Sequence, residues 1–472
     1  MELNSVKEAD VLIVGAGPTG LTLAVDLARR GVDALVVEKA DGLFPGSRGK
    51  GIQPRTMEVL DDLGVVDAVR DAGGPAPVGM VWQDGARVGE HVMFEPAEPS
   101  EAEPYAGPWL LPQWRTQEIL QARLTELGGS ATFGAALTRL AQDAERVTAD
   151  LSDGTTVLAR YVVAADGGRS TVRGLLGIGM TGETIDPKPM LVADVRIPAL
   201  DRDNWHLFPP SGDQGFLSVA PLPGHEEFQL VAQFADGDTP DTSPAGVRAV
   251  VAARTHLTAD QVTDVRWASD FRPRAALADR FREGRVLLAG DAAHIHSPAG
   301  GQGLNTSVQD AYNLGWKLGQ VLRHGAPPAL LDTYEAERRP VAADMLGLST
   351  RVHRGEEQRG RSTQQLDLGY RGGPLAAGAA GALAAGDRAP DGPLPDGPRL
   401  FDAFRGPHFT LLAVGTDAPL PQSLPAIVRV LRTGPYEPYG KGLFLVRPDG
   451  YVGWAGEDAT GLGAYLARVT RR

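Results

Sequence analysis

The hydrophobic positions of the first forty residues change period twice. Val11-Leu12-Ile13-Val14 is an unbroken apolar run of strand length. Thr19–Arg30 then carries Leu21, Val25 and Leu27-Ala28 at helical spacing, and Ala34-Leu35-Val36-Val37 is a second short apolar run. Short continuous runs read as buried strands, and the period between them reads as an amphipathic helix. Gly31 falls where a helix commonly ends on a left-handed residue. The order is β-α-β, the opening of a doubly wound parallel sheet.

Further along, the pattern divides. Tyr161–Ala165 and Arg285–Ala289 are again buried-type strands, and Asn305–Arg323 is helical, with Val308, Ala311-Tyr312, Gly315-Trp316 and Leu318-Gly319 near one face. Residues 75–112 and 187–272 are instead rich in proline and short β-like runs; Gly215–Pro221 and Glu227–Phe234 read as strands joined at Pro223-Gly224. Residues 372–398 hold seven Gly, five Pro and eight Ala among 27, the composition of a loosely packed connection. Beyond it, Phe409–Val414, Gly442–Val446 and Val452–Trp454 have strand character and a helix starts at Leu462. The expected fold is α/β: a Rossmann-like unit from residues 1–74, 113–186 and 273–371, an antiparallel sheet inserted from 75–112 and 187–272, a linker over 372–394, and a small domain over 395–472.

Charge and composition narrow the function. There are 46 Lys and Arg against 59 Asp and Glu, a net charge of −13, which argues against nucleic acid or an anionic membrane as partner. The absence of cysteine excludes disulfides, thiolate metal sites, Fe–S clusters and a cysteine nucleophile. No apolar stretch is long enough to span a bilayer, and Met1–Asp10 lacks the apolar core of a signal peptide, so a cytoplasmic protein is expected.

Two glycine-rich turns carry the chemistry. Gly15-Ala16-Gly17-Pro18-Thr19-Gly20 lies between the first strand and its helix, and Glu38 ends the next strand. Glycines admit a pyrophosphate close to the backbone, the helix start offers free amides, and the acid accepts ribose hydroxyls. This motif alone does not separate NAD from FAD. In the second, a strand runs into Gly290-Asp291, followed by Pro298-Ala299-Gly300-Gly301-Gln302-Gly303 and a helix start at Leu304-Asn305. An Asp at a strand end can accept polyol hydroxyls, and amides at a helix start can face a developing anion. Two such turns far apart in the chain suit one elongated ligand with two ends, such as FAD.

The run Gly290-Asp291-Ala292-Ala293-His294, Gly300-Gly301-Gln302-Gly303-Leu304-Asn305, Gln309-Asp310-Ala311 and Asn313–Leu318 resembles the flavoprotein aromatic hydroxylases, the group A monooxygenases related to para-hydroxybenzoate hydroxylase. Within them it is most similar to the phenol and polyketide hydroxylases and the rifampicin monooxygenases. Asp166-Gly167-Gly168-Arg169-Ser170, after the strand, matches a third family motif. The resemblance implies an FAD-binding domain, an inserted substrate domain and a thioredoxin-like C-terminal domain, which without cysteine has a structural or oligomeric role. It implies FAD as cofactor, NADPH or NADH as co-substrate, and O₂ delivered through a C4a-hydroperoxyflavin to a small aromatic, phenolic or polyketide-like substrate, as in antibiotic biosynthesis.

Carried over residue by residue, the resemblance places Gly15, Gly17, Thr19 and Gly20 at the pyrophosphate and Glu38 with Lys39 at the adenosine ribose. Leu137 falls at the adenine, and Arg48 and Gln113 on the flavin and ribityl side. Asp166 serves FAD and NAD(P)H handling, and Asp291 the ribityl chain. Pro298, Gly303, Leu304 and Asn305 border the flavin ring. Two positions depart from the family pattern: Ser297 replaces a proline, and Lys50 stands where some relatives carry an arginine near the substrate. No catalytic base is identified. Another FAD-dependent oxidoreductase and a non-catalytic binding module of the same fold stay open. His294 and His296 lack the companions of a metal site. Arg338-Arg339, Arg351–Arg361, Asp41, Asp61 and Asp62 read as solvated surface. Trp82, Trp205, Phe208, Phe216 and Phe228 are divided between core packing and an aromatic pocket. A monomer or homodimer is expected.

Overall fold

The computed structural model describes residues 5–210, 214–394, 397 and 399–470. Residues 1–4 of the amino-terminal segment and the expected boundary at 395 lie outside them. The elements that frame the site are β1 (Val6–Val14), α1 (Pro18–Arg29), β2 (Ala34–Val37), α2 (Pro54–Asp62), α3 (Gln113–Glu126), β3 (Ala131–Thr132), β4 (Thr156–Ala164), β5 (Val286–Leu288), α4 (Gly303–Arg323) and α5 (Asp332–His353). The strands form a parallel sheet in the order β5-β4-β1-β2-β3. Its centre is apolar on both faces, as a parallel sheet requires: Val11, Leu12 and Ile13 are fully buried. β1 begins five residues before its apolar run, because Val6–Ala9 pair with Thr156–Ala159. That part faces solvent, so it carries no hydrophobic signal.

α1 and α4 pack side by side. A Cβ on Gly315 would lie 2.1 Å from Asp26 Oδ2, and one on Gly319 2.8 Å from Arg30 Cδ. These contacts advance in the same sense along both helices, so the two are parallel and start at the same end of the sheet. Buried Asp26 accepts hydrogen bonds from Arg29 at 2.6 Å and Arg30 at 3.0 Å.

The inserted sheet has seven strands, in the order Asp264–Phe271, Met190–Arg196, Phe228–Gln233, Leu217–Pro221, Asn204–Phe208, Val78–Gln83 and Ala86–His91. It is not wholly antiparallel: Asn204–Phe208 runs parallel to Val78–Gln83. Those neighbours are separated in sequence by a return through the Rossmann-like unit, so no hairpin dictates their direction. One face packs Leu191, Ala193, Phe228 and Leu230 against Val247 and Val251 of a helix at Pro244–Arg254. The Ser243 hydroxyl caps that helix by accepting from Gly246 N at 3.1 Å.

The last part of the chain holds a four-stranded sheet in the order Val428–Thr433, Phe409–Val414, Gly442–Val446, Val452–Gly456, with a helix at Leu462–Val469. Residues 372–394 are not a loose linker. Ala377 N donates to Gly453 O at 3.0 Å, Gly386 N to Val452 O at 2.6 Å and Ala389 N to Gly450 O at 2.9 Å, which lays the segment along the edge of that sheet. Its small residues permit the close approach: a Cβ on Gly378 would lie 2.2 Å from Ala455 O. Among the described residues no helix is long and apolar enough to cross a membrane.

Candidate functional site

The site begins where β1 turns into α1. Gly15 has φ +112°, and a Cβ there would sit 2.3 Å from Ala165 O; a Cβ on Gly20 would sit 1.9 Å from Gly15 O. These glycines are demanded by the fold itself. Gly17 is different, since nothing lies within 4 Å of the position its Cβ would take. No side chain caps α1 or α4, which leaves first-turn amides for a ligand. Glu38 holds the turn from the far side, accepting from Ala16 N at 2.9 Å and Ala40 N at 3.0 Å. Lys39 beside it is exposed, and Leu137 is buried on the strand Leu137–Gln142.

The second turn meets the first directly. A Cβ on Gly290 (φ +62°) would lie 2.5 Å from Thr19 Oγ1 and 3.1 Å from Ser307 Cβ on α4. Two glycine-lined turns and two parallel helix starts therefore line one cleft. Asp291 has an accessible carboxylate at this turn. The surrounding chain nevertheless removes enough water to raise its carboxyl above the ordinary value; His294 and Arg48 oppose the rise and Asp310 adds to it. The Arg48 guanidinium lies over the Phe44 ring at 4.7 Å from its centroid.

Leu304 and Asn305 open α4 next to the segment that carries Arg48. Asn305 Oδ1 accepts from Gln53 N at 2.8 Å, and its Nδ2 donates to Gly51 O at 2.9 Å and Gly301 O at 2.8 Å. Gln113, at the start of α3, accepts from Gly49 N at 3.2 Å. Pro298 and Gly303 stand on the loop leading into α4. Asp166 lies beside Gly15, but its carboxylate is engaged locally, accepting from Ser170 Oγ at 2.5 Å, Thr171 N at 2.7 Å and Val172 N at 3.1 Å. It holds the first amides of the short helix Thr171–Leu175, whose N-cap is Ser170.

A family described as FAD binding domain matches residues 8–349, and one described as aromatic-ring hydroxylase, C-terminal, matches 383–472. The chain belongs to the FAD-dependent aromatic-ring hydroxylases. It is 46% identical to a flavin-dependent monooxygenase of Mycobacteroides abscessus, across 97% of this chain and 99% of that one. It is 37% identical to the 12-dehydrotetracycline 5-monooxygenase/anhydrotetracycline 6-monooxygenase of Streptomyces rimosus, across 96% of each. Aklavinone-11 hydroxylase, solved with FAD and aklavinone, superposes over the whole of both chains with a TM-score of 0.82 at 29% identity. The protein is an FAD-dependent monooxygenase.

The glycine cradle, the uncapped helix starts and the accessible acid at the strand end all fit FAD. What sequence reading missed is the hydroxylase's buried support for the second turn. Asp310 of α4 accepts from Gly290 N at 3.1 Å, contacts His294 Nε2 at 2.5 Å and accepts from Arg338 Nε at 2.7 Å. Burial is the largest influence on Asp310 and opposes its charge, yet His294 and Arg338 hold its carboxyl below the ordinary value. Arg338, expected on a solvated face, is fully buried and also donates to Tyr370 Oη at 3.0 Å and Thr306 O at 3.1 Å. The available signal was an Asp in the middle of the apolar face of α4. His294 and His296 meet ring to ring at 3.0 Å between Nδ1 and Nε2.

Proposed function

We propose that FAD lies along the cleft shared by α1 and α4, and that the enzyme uses NAD(P)H and O₂ to hydroxylate an aromatic, phenolic or polyketide-like substrate. The observation that carries this reading is the meeting of the two turns at Gly290 and Thr19, with both helix starts directed at one cleft. Gly15, Gly17, Thr19 and Gly20 would hold the pyrophosphate; Glu38 and Lys39 would flank the adenosine ribose, with Leu137 toward the adenine. Asp291, Arg48 and Gln113 would take the ribityl side, and Pro298, Gly303, Leu304 and Asn305 the flavin ring, while Asp166 would shape the turn beside Gly15.

Bound FAD, reduced by a nicotinamide, supplies the activation of O₂ and the transfer of one oxygen atom. The amides that open α4 would stabilise negative charge on a reduced ring, aided by the helix dipole. Asn305 fixes that helix start against residues 51–53, so the donors do not need to reorganise. The inserted sheet, which carries Trp205 and Trp267, presents an aromatic face to the Arg48 segment and would exclude water from the ring. The substrates named for the relatives, among them anhydrotetracycline, rifampicin and pentachlorophenol, support an aromatic, phenolic or polyketide-like acceptor.

Asp291→Ala removes a charged acceptor of ribityl hydroxyls and is expected to weaken FAD binding by about tenfold to a hundredfold. Flavin fluorescence on titration of the apoenzyme checks this; unchanged affinity counts against the assignment. Across a panel of phenols and polycyclic polyketides, the expected outcome is a compound that accelerates both NAD(P)H oxidation and O₂ uptake and leaves hydroxylated. O₂ uptake that yields only H₂O₂ with every compound would contradict the substrate class.

A further inference from the structure

The inserted sheet has two unlike faces. One is the apolar face covered by the helix at Pro244–Arg254. Across the other runs a single register row: Trp267 opposite Asp194, Asp194 opposite Gln229, Gln229 opposite Ala220. Trp205 continues that row, since its neighbour His206 pairs with Val219. This row faces the Gly46–Lys50 segment. Gln229 Nε2 donates to Ser47 O, and Gln229 Oε1 accepts from Lys50 Nζ, which stands 4.3 Å from the Trp205 ring centroid. The other side of the same segment meets the flavin-side loop, as a Cβ on Gly49 would lie 3.6 Å from Leu304 Cδ1.

Several polar atoms here lack a well-formed hydrogen bond. Asp194 is fully buried; the Ser47 hydroxyl and backbone N–H face its carboxylate without closing a well-formed hydrogen bond, and the Trp205 indole N–H has no partner. Buried polar groups are normally satisfied, and leaving one unpaired is costly. Such a concentration beside a half-buried lysine marks a place built for a polar ligand. Burial, then the Arg359 cation, pushes Lys50 down to about 7, with Asp194 opposing. Burial pushes Asp194 up to about 6, with Ser47, Lys50 and Arg266 opposing. Other charged groups facing the cluster are Arg359 and, toward Trp267, Arg48.

We propose that Lys50 takes the proton of a ring hydroxyl of the aromatic substrate, and that Asp194 accepts a hydrogen bond from a second donor on the same molecule. The inference rests on the aromatic-hydroxylase reading and deepens it. It restricts the substrate to rings bearing an ionisable hydroxyl together with another hydrogen-bond donor. Gln229 is anchored through Ser47, so its carbonyl oxygen holds one N–H of the Lys50 amine and leaves the nitrogen lone pair for the substrate. The substrate O–H bond breaks, an N–H bond forms at Nζ, and the electron pair stays on oxygen, where it raises the electron density of the ring. No oxidant or reductant takes part in this step. Arginine at position 50 would keep the cation but could not accept the proton.

The test uses the FAD-loaded enzyme at pH 8 with resorcinol and 3,5-dihydroxyacetophenone, each of which carries a second hydroxyl to donate and whose neutral and anionic forms differ in ultraviolet difference spectrum. Wild type is expected to bind a probe as its anion with almost no net proton released to buffer. Lys50→Met is expected to bind it as the neutral phenol. Lys50→Arg is expected to bind the anion and to release about one proton per site, and Asp194→Asn to bind at least about tenfold more weakly. A probe bound as anion equally by wild type and Lys50→Met overturns the inference, as does a neutral probe in wild type or binding of neither probe. Failure of the underlying function would show separately, as a wild-type enzyme whose NAD(P)H oxidation and O₂ uptake no aromatic compound stimulates.

Discussion

Replacing Arg447 by methionine is expected to destabilise the chain by about 3–5 kcal/mol, because it strands buried charge. Arg447 comes from the C-terminal sheet and is fully buried. It donates to Glu337 Oε1 of α5 at 2.7 Å and to Asp449 Oδ1 at 2.9 Å. Lys317 of α4 donates to Glu337 Oε2 at 2.7 Å, and Trp316 Nε1 to Asp449 Oδ2 at 3.0 Å. Two cations and two anions balance, so loss of Arg447 leaves a net negative charge in a dry interface. Glu337→Gln alone leaves the opposite imbalance. The double variant restores neutrality and is expected to lose less than the sum of the single changes, which urea-unfolding midpoints would show. A loss within about 1 kcal/mol for Arg447→Met would contradict the account. The same network predicts acid sensitivity. Burial opposes the Glu337 charge, but Arg447 and Lys317 hold its carboxyl down at about 2 from the ordinary 4.5. Its folded-state value is depressed, so its contribution is complete above the unfolded value. The contribution is lost as pH falls from about 4.5 toward 2.

Gly20→Ala and Gly17→Ala, three residues apart, are expected to fail in different ways. At Gly20 the added carbon would meet the Gly15 carbonyl oxygen at 1.9 Å. That atom is backbone in the strand–helix turn and cannot rotate away. The variant is expected to purify without flavin and to unfold several °C lower, since overpacking costs about 1–3 kcal/mol or more. At Gly17 the backbone is extended (φ −74°) and the added carbon meets nothing within 4 Å. That variant is expected to keep the melting temperature of the apoprotein yet lose FAD affinity by about tenfold or more, because only a closely approaching phosphate would be crowded. Equal FAD affinity for Gly17→Ala and wild type would mean that the pyrophosphate does not pass there.

What was legible in the sequence is what local backbone chemistry dictates. β1, α1 and β2, the Gly290-Asp291 turn and the start of α4 follow from apolar period and glycine placement, and each forms close to where it is expected. Charged residues were misread where burial depends on distant chain. Asp61 looked like surface, yet it is buried and accepts from Tyr105 Oη at 2.8 Å and from Arg399 and Arg405 at 2.5 Å. Those donors lie more than 40 and more than 300 residues away, so no local window contains them. Arg338 escaped for the same reason, its acceptor being on another helix. The helix at Pro244–Arg254 was missed inside a proline-rich stretch, although Ser243-Pro244 is an ordinary helix opening. Residues 372–394 misled because glycine and alanine signal both slack chain and tight backbone approach, and only contact with Gly453 and Val452 tells them apart.

The way the C-terminal sheet is fastened bears on how these enzymes could be recombined. Arg388, from the segment laid along that sheet, binds Glu58 at 2.8 Å, and Arg55 of α2 donates to Asp449 O at 2.7 Å. A chimaera that imported a relative's tail would therefore have to import matching residues at 55, 58, 317 and 337 as well. The natural crossover unit is a set of scattered side chains, and a graft cut at any single point in the chain would sever it.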